Sequence, residues 1–292
     1  MFLIDFANNM EKYTEFINKI WKEDHSDIDY EFVIEKAFTD ITKGHTKSTD
    51  KLIIKLGGQS GSGKTTQLLP SIRHGLEKNN IDYVHLAVRL FAEYHPYYGE
   101  LLDKFGKQNI REKTNGFALT ILIGVLKKLV GEGYNIFYEV TLLDPVYEER
   151  VIMLLKENNY NIIFSILAVP LSLSNLWIEE RKQKMNEESN RIVKKSSSNY
   201  FYDILPLALK SIVKNKEILN EGDHIIIWDV YSNTPILNTN VFDGNLLSVY
   251  DKNIKISTKK ADYTEDELRM AKIIFYDNFF RNFYSSKSIK HF

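Results

Sequence analysis

Residues 57–65 read GGQSGSGKT, and the reading of the whole chain turns on them. Gly58, Gly63, Lys64 and Thr65 fill every fixed position of G-x-x-x-x-G-K-[ST], the phosphate-binding loop. A flexible Gly/Ser turn would account for the glycines but not for the Lys-Thr pair. The flanks agree: Leu52, Ile53, Ile54 and Leu56 form a short apolar run of the buried-strand kind, and Leu68, Leu69, Ile72 and Leu76 recur at helical spacing. Such a loop gathers backbone N–H groups onto phosphate oxygens, which side chains at Gly61 or Gly63 would obstruct, and the next helix aims its positive end at the same anion. Lys64 is the candidate for the β- and γ-phosphates, the Thr65 hydroxyl for Mg²⁺, and Ser62 and Thr66 complete the cradle. Pro70 removes a backbone donor from that helix and predicts a kink.

Outward from the loop, short apolar runs alternate with helical patterns. Strands are expected at 83–88, 135–140, 162–169 and 224–230, and helices at 117–130, 146–156, 171–184 and 202–219. Alternation of this kind predicts an α/β fold, a three-layer sandwich around a parallel sheet. The suggested organisation is an N-terminal helical segment over 1–50, the phosphate-binding domain over 51–235 and a C-terminal extension over 236–292. In the first, Met10, Tyr13, Phe16, Ile17, Ile20 and Trp21 mark one amphipathic helix and Ile28, Phe32, Ala37, Phe38 and Ile41 a second; in the last, a capping box at 264–267 opens a helix.

Composition sets bounds. A chain of 292 residues with 43% apolar content can bury a large core. A net charge of -1 argues against a nucleic-acid-coating surface. With no cysteine there are no disulfides, thiolate metal sites or thiol catalysis, which fits a cytoplasmic protein. The N-terminus lacks the pattern of a secretory signal. The longest apolar stretch, 117–130, is shorter than the roughly 18 to 20 residues of a membrane span, so no membrane partner is expected. Seven scattered histidines show no paired spacing for a metal.

In open parallel sheets, ligands lie beyond the carboxyl ends of the strands. Those positions hold the phosphate loop, RLFAEYHPYYGELLDKFG from Arg89, EVTLLDP from Glu139, and AVP from Ala168. Together with GYNIFYEVTL and SNLWIEER, these segments resemble the zeta-toxin family of bacterial toxin–antitoxin kinases over roughly 53–230. The resemblance implies a P-loop kinase that uses ATP or GTP with Mg²⁺ to phosphorylate UDP-N-acetylglucosamine and related UDP-sugars. It also implies a small helical antitoxin that blocks the nucleotide site. Carried over by position, Lys64 and Thr65 match the phosphate and metal sites, Glu139 and Thr141 the substrate-side E-x-T, and Arg181 the first phosphate-contacting arginine of a lid. Arg191 and Lys195 compete for the second lid cation. Lys64, Glu139 and Arg181 are thus the catalytic candidates.

Two positions depart from the family. Where it carries the Asp that accepts the substrate hydroxyl proton, this chain has Arg89, and where it carries an arginine after E-x-T-x, this chain has Leu143 followed by Asp144. A guanidinium cannot take up a proton at neutral pH. Arg89 is therefore a candidate for binding an anionic substrate group, and the base falls to another carboxylate: Glu139, Asp144 or Glu93. Each has a plainer reading, Glu93 as a solvated helix face, Asp144 as a helix N-cap and Glu139 as a ligand of metal-bound water. His95 reads as a packing residue, and Tyr94, Tyr97 and Tyr98 either stack on a base or sugar or belong to the core.

Overall fold

The computed structural model describes residues 27–58, 62–140, 145–169, 177, 209–210, 212–229 and 235–242, without the side chains of 66, 67, 71, 107, 108, 112, 145 and 146. Two compact units emerge: a helical unit, Met1–Gly44 with Leu86–Gly131, and a sheet unit, His45–His85 with Glu132–Phe292.

Six strands form the sheet: β1 (Leu52–Gly57), β2 (Val84–Leu86), β3 (Ile136–Glu139), β4 (Asn161–Ala168), β5 (His224–Asp229) and β6 (Pro235–Thr239). Their order is β2-β3-β1-β4-β5-β6. β1 lies parallel to β3, with Leu56 opposite Glu139, and parallel to β4, with Gly57 opposite Ile166. The all-parallel expectation fails at one edge, because β6 runs antiparallel to β5. Residues 230–234 are too few for a parallel crossover, which needs about a dozen, and proline is tolerated at the start of an edge strand. β6 also crosses the 235/236 position at which the sequence suggests a boundary.

Successive strand residues point to opposite faces, so β1 commits its sides to different partners. Ile54 and Leu56 join a buried cluster with Leu69, Ile72 and Leu76 of helix α2 (Leu69–Lys78). Lys55 points the other way and pairs with Glu148 of helix α4 (Pro145–Glu157), itself buried. Helix, sheet and helix thus make the three layers that the alternation predicts. On the α2 face, Trp228 Nε1 donates to the buried Ser165 Oγ at 2.9 Å, satisfying the indole without opening the core.

In the helical unit, α1 (Tyr30–Thr42) is capped by Asp29, whose Oδ1 accepts the Phe32 N–H at 3.0 Å, a contact worth about 1 kcal/mol. It buries Val33, Ala37 and Phe38. Phe32, expected on the apolar face, is 65% exposed, because it sits one residue out of step with the buried stripe. α3 spans Tyr98–Glu132, much longer than the 117–130 expected, and is broken at Gly106, whose φ of 72° glycine adopts without strain. Its second half, Lys113–Glu132, is long and apolar enough to cross a membrane by length and composition, beyond what the sequence suggests. Here it is the unit's core helix, burying Phe117, Ile121, Leu122, Val125, Leu126 and Leu129. α1 approaches it at Gly124, where any Cβ would lie 2.4 Å from Ile34 Cδ1. Phe117 packs against Tyr30 and, at 4.6 Å between ring centroids, against the buried His95, which thus packs as the sequence suggests.

The helices expected at 10–21, 171–184 and 264–279 lie outside the described residues apart from Trp177; of 202–219, residues 209–210 and 212–214 are helical and Lys216–Ile218 is a 3-10 turn.

Candidate phosphate-binding and transfer site

The chain leaves β1 through Gly58, at φ 144°, where an added Cβ would lie 3.0 Å from Ser62 Oγ and 3.5 Å from the Leu167 carbonyl oxygen. Gly63 takes the left-handed conformation, φ 87° and ψ 9°, and turns the chain into the helix that begins at Lys64. That first turn, Lys64–Leu68, is π-helical, with the Leu69 N–H donating to the Lys64 carbonyl. α2 follows with Pro70 in its first turn, and the irregularity expected of the proline coincides with a change from π- to α-helical winding just ahead of it.

The polar groups here suit an anion. Lys64 Nζ donates across the loop to the Gly58 carbonyl, holding the ammonium inside it. Ser62 Oγ is buried with no hydrogen-bond partner, an arrangement that costs about 1–3 kcal/mol unless a ligand meets it. Thr65 is exposed at the helix start. A nucleotide's phosphates therefore fit: glycines leave room, while a helix N-terminus, an ammonium and an unmatched hydroxyl line the space. Among the described residues no cluster of three His, Asp or Glu could hold a metal. In phosphate-binding loops the hydroxyl that follows the lysine is the Mg²⁺ position, so Thr65 would be the residue to hold the ion beside phosphate oxygens.

Glu139 ends β3 opposite Leu56, and the Val140 N–H donates to the Leu56 carbonyl at 3.0 Å, which places the carboxylate beside the strand that feeds the loop. It is 8% exposed. Its Oε1 meets His85 Nε2 at 3.0 Å, and His85 Nδ1 meets Arg73 Nη2 at 2.8 Å. Sequence reasoning singled out neither His85 nor Arg73. The available signal was weak: one imidazole between the buried Val84 and Leu86 of a three-residue strand.

Arg89 and Glu93 lie in the helical unit, on a 3-10 segment, Val88–Tyr94, that follows the carboxyl end of β2. With three residues per turn, positions four apart diverge, so Glu93 is not stacked one turn beyond Arg89 as an α-helix would have it. Arg89, Arg111, Thr114 and Asn115 line a shallow recess, to which Glu93 does not contribute. The Tyr94 hydroxyl donates to Asp40 Oδ2 at 3.2 Å and the Tyr97 hydroxyl to Asp27, anchoring both rings within the helical unit. Tyr98 begins α3. Gly61, Thr141, Asp144, Arg181, Arg191 and Lys195 lie outside the described residues, and Thr66 sits in the π-helical turn.

A glycine loop leaving the strand flanked by β3 and β4, and entering a helix N-terminus, defines a P-loop kinase-like α/β protein. The profile described as Zeta toxin matches residues 35–241, and the chain belongs to that family. It is 30% identical over 154 residues to Toxin PezT of Streptococcus pneumoniae serotype 4, covering 53% of this chain and 59% of that protein. Against Toxin zeta of Streptococcus agalactiae it is 24% identical over 199 residues, covering 68% of this chain and 66% of the relative. It thus spans less than two thirds of either relative's length. A solved structure from the PezAT chromosomal toxin–antitoxin system of Streptococcus pneumoniae shares the fold, with a TM-score of 0.60 at 21% identity over 88% of this chain and 98% of that one.

Proposed function

We propose that the protein is a phosphotransferase that moves the γ-phosphoryl group of ATP or GTP to a hydroxyl of a UDP-sugar, with UDP-N-acetylglucosamine as the first candidate. The observation that carries this reading is the loop itself, where Lys64 and the unmatched Ser62 hydroxyl converge beneath a helix N-terminus next to the Glu139 strand end. In the reaction the acceptor oxygen bonds to the γ-phosphorus, the bond from that phosphorus to the β,γ-bridging oxygen breaks, and the acceptor proton passes to a carboxylate. Glu139 is the first candidate for that carboxylate and Asp144 the second. Such transfers have loose transition states in which positioning and charge neutralisation dominate, so replacing the family's Asp by an arginine lowers the rate without ending catalysis.

Lys64 neutralises charge on the β- and γ-phosphates, and Arg181 with Arg191 or Lys195 supplies further positive charge to them. Mg²⁺ bound to Thr65 and phosphate oxygens would supply further neutralisation. Thr141 serves the acceptor, and Arg89 is the candidate for an anionic group on it. A small helical antitoxin is the proposed protein partner. Arg89 also supports a second reading, a nucleotide-binding relative with weak catalysis that acts through such a partner.

The test is to incubate the protein with Mg²⁺, ATP or GTP and a panel of UDP-sugars and to analyse the products by mass spectrometry. A UDP-sugar gaining one phosphoryl group supports the first reading. Tight nucleotide binding with no phosphorylated product supports the second.

A further inference from the structure

We infer that His85, locked by Arg73 with its proton on Nε2, is a positioning residue that fixes the Glu139 carboxylate at the mouth of the site. The inference rests on the proposed role of Glu139 as a site carboxylate, but its chemistry follows from the three side chains themselves. Arg73 Nη2 lies 2.8 Å from His85 Nδ1. A guanidinium has donors and no acceptor, so Nδ1 accepts, carries no proton, and leaves the ring proton on Nε2. Nε2, 3.0 Å from Glu139 Oε1, therefore donates to the carboxylate.

Each link comes from a different element. Arg73 lies on α2, the helix that begins at the phosphate loop, His85 is the middle residue of β2, and Glu139 is the last residue of β3. The imidazole also rests against Phe137, with ring centroids 5.4 Å apart, so its plane is set by packing as well as by hydrogen bonds. The chain of contacts thereby ties the orientation of the Glu139 carboxylate to the helix that presents Lys64.

Two other roles for the histidine conflict with this geometry. As a proton shuttle it would need an open nitrogen to receive a proton from Glu139, yet Nε2 already bears one and Nδ1 faces a guanidinium. As a metal ligand it would need a lone pair, and Nδ1, which has the only one, is taken by Arg73. A purely structural role fits less well too. Arg73 Nε is buried with no hydrogen-bond partner, and an apolar set would fill this space without that desolvation cost. Misplacing a site group by about 1 Å can cost about 100-fold in rate, so removal of its orienting partner is expected to show in kcat.

The experiment uses the full chain and has two arms. Long-range ¹H–¹⁵N spectra at neutral pH, with the His85 signals assigned by their loss in His85→Gln, are expected to show protonation at Nε2 alone. In Arg73→Met the second tautomer should appear, and in Glu139→Gln the Nε2 proton should shift. In phosphoryl-transfer assays His85→Leu should lower kcat by about tenfold or more, with nucleotide affinity unchanged by calorimetry. His85→Gln, whose amide N–H can replace the donor, should recover most of kcat, and His85→Leu should add little once Glu139→Gln is present. If the wild type transfers no phosphoryl group to any acceptor, the functional reading fails while the spectra still decide the inference. A proton on Nδ1 in the wild type, or His85 signals indifferent to Glu139→Gln, overturns it, as does a kcat of His85→Leu equal to that of the wild type.

Discussion

β1 and β3 carry two ionic clusters on opposite faces, and the contrast between them separates what holds this fold from what serves its site. On the α4 face, Lys55 Nζ donates to Glu148, with both side chains at most 1% exposed. The ammonium lies 5.8 Å from the ring centroids of both Tyr138 and Phe164, and the Tyr138 and Tyr147 hydroxyls share a hydrogen bond of 2.9 Å. Burial first, then the neighbouring Tyr147 and Glu148, holds the Tyr138 phenol well above its usual pKa, so it stays neutral. One residue further along β3, the chain turns Glu139 to the α2 face, where it meets His85; those side chains are 7% and 15% exposed. A sealed pair can act only on stability. The second cluster retains an opening, at the strand end where ligands of such sheets bind.

The largest effect should come from breaking the sealed pair. Lys55→Ala or Glu148→Ala leaves an uncompensated buried charge and should cost about 3–5 kcal/mol in denaturant unfolding. Replacing both, as Lys55→Met with Glu148→Leu, should restore most of that loss. If the single variants unfold at the wild-type midpoint, the pair is not the structural element described here. Next in size, Lys64→Ala should weaken nucleotide binding by about 10- to 100-fold in calorimetry while leaving the melting temperature nearly unchanged, because a charge-assisted contact to phosphate is lost and no core contact is. This is the reverse of the Lys55 pattern. Arg89→Ala should raise the acceptor KM by about tenfold with the nucleotide affinity preserved, as expected for loss of one charged contact.

The smallest effect belongs to a third cluster, on the surface of the sheet unit. Burial tends to raise the Asp82 pKa, but hydrogen bonds from His45 and from the Thr46 N–H and hydroxyl outweigh it and hold the carboxyl below its usual value. A depressed folded-state value means stability that is present above the unfolded pKa of about 3.9 and lost as pH falls through the folded one. Partial exposure screens the contribution to a few tenths of a kcal/mol. Unfolding midpoints of the wild type and Asp82→Asn should therefore differ slightly at neutral pH and converge only as the pH falls below the depressed folded-state value.

What was legible in the sequence follows from the range of each interaction. The loop, its strand and its helix are contiguous, so GGQSGSGKT and its flanks announce strand, turn and helix N-terminus together. Glu139 could be placed at a strand end because the run before it is apolar. Lys55 could not be read as buried, since its partner is 93 residues away and a lone lysine in an apolar run carries no mark of one. Arg73 and Glu139 lie 12 and 54 residues from His85, so their chain of contacts exists only once α2, β2 and β3 are packed. β6 escaped notice because all five residues of PILNT are half-buried, as an edge strand allows, and its apolar signal is short. The Gly124 approach was hidden for a similar reason: it depends on Ile34 of a different helix.

The central claim is that this chain transfers phosphoryl groups with Arg89 where an acid would be expected. The most direct measurement compares initial rates of γ-phosphoryl transfer to UDP-N-acetylglucosamine by the wild type and by Arg89→Asp, at saturating Mg²⁺ and ATP. The account predicts measurable transfer by the wild type and no gain on introducing the aspartate, because Glu139 or Asp144 takes the proton and Arg89 serves the acceptor's charge. An inert wild type converted by Arg89→Asp into a robust kinase would contradict it.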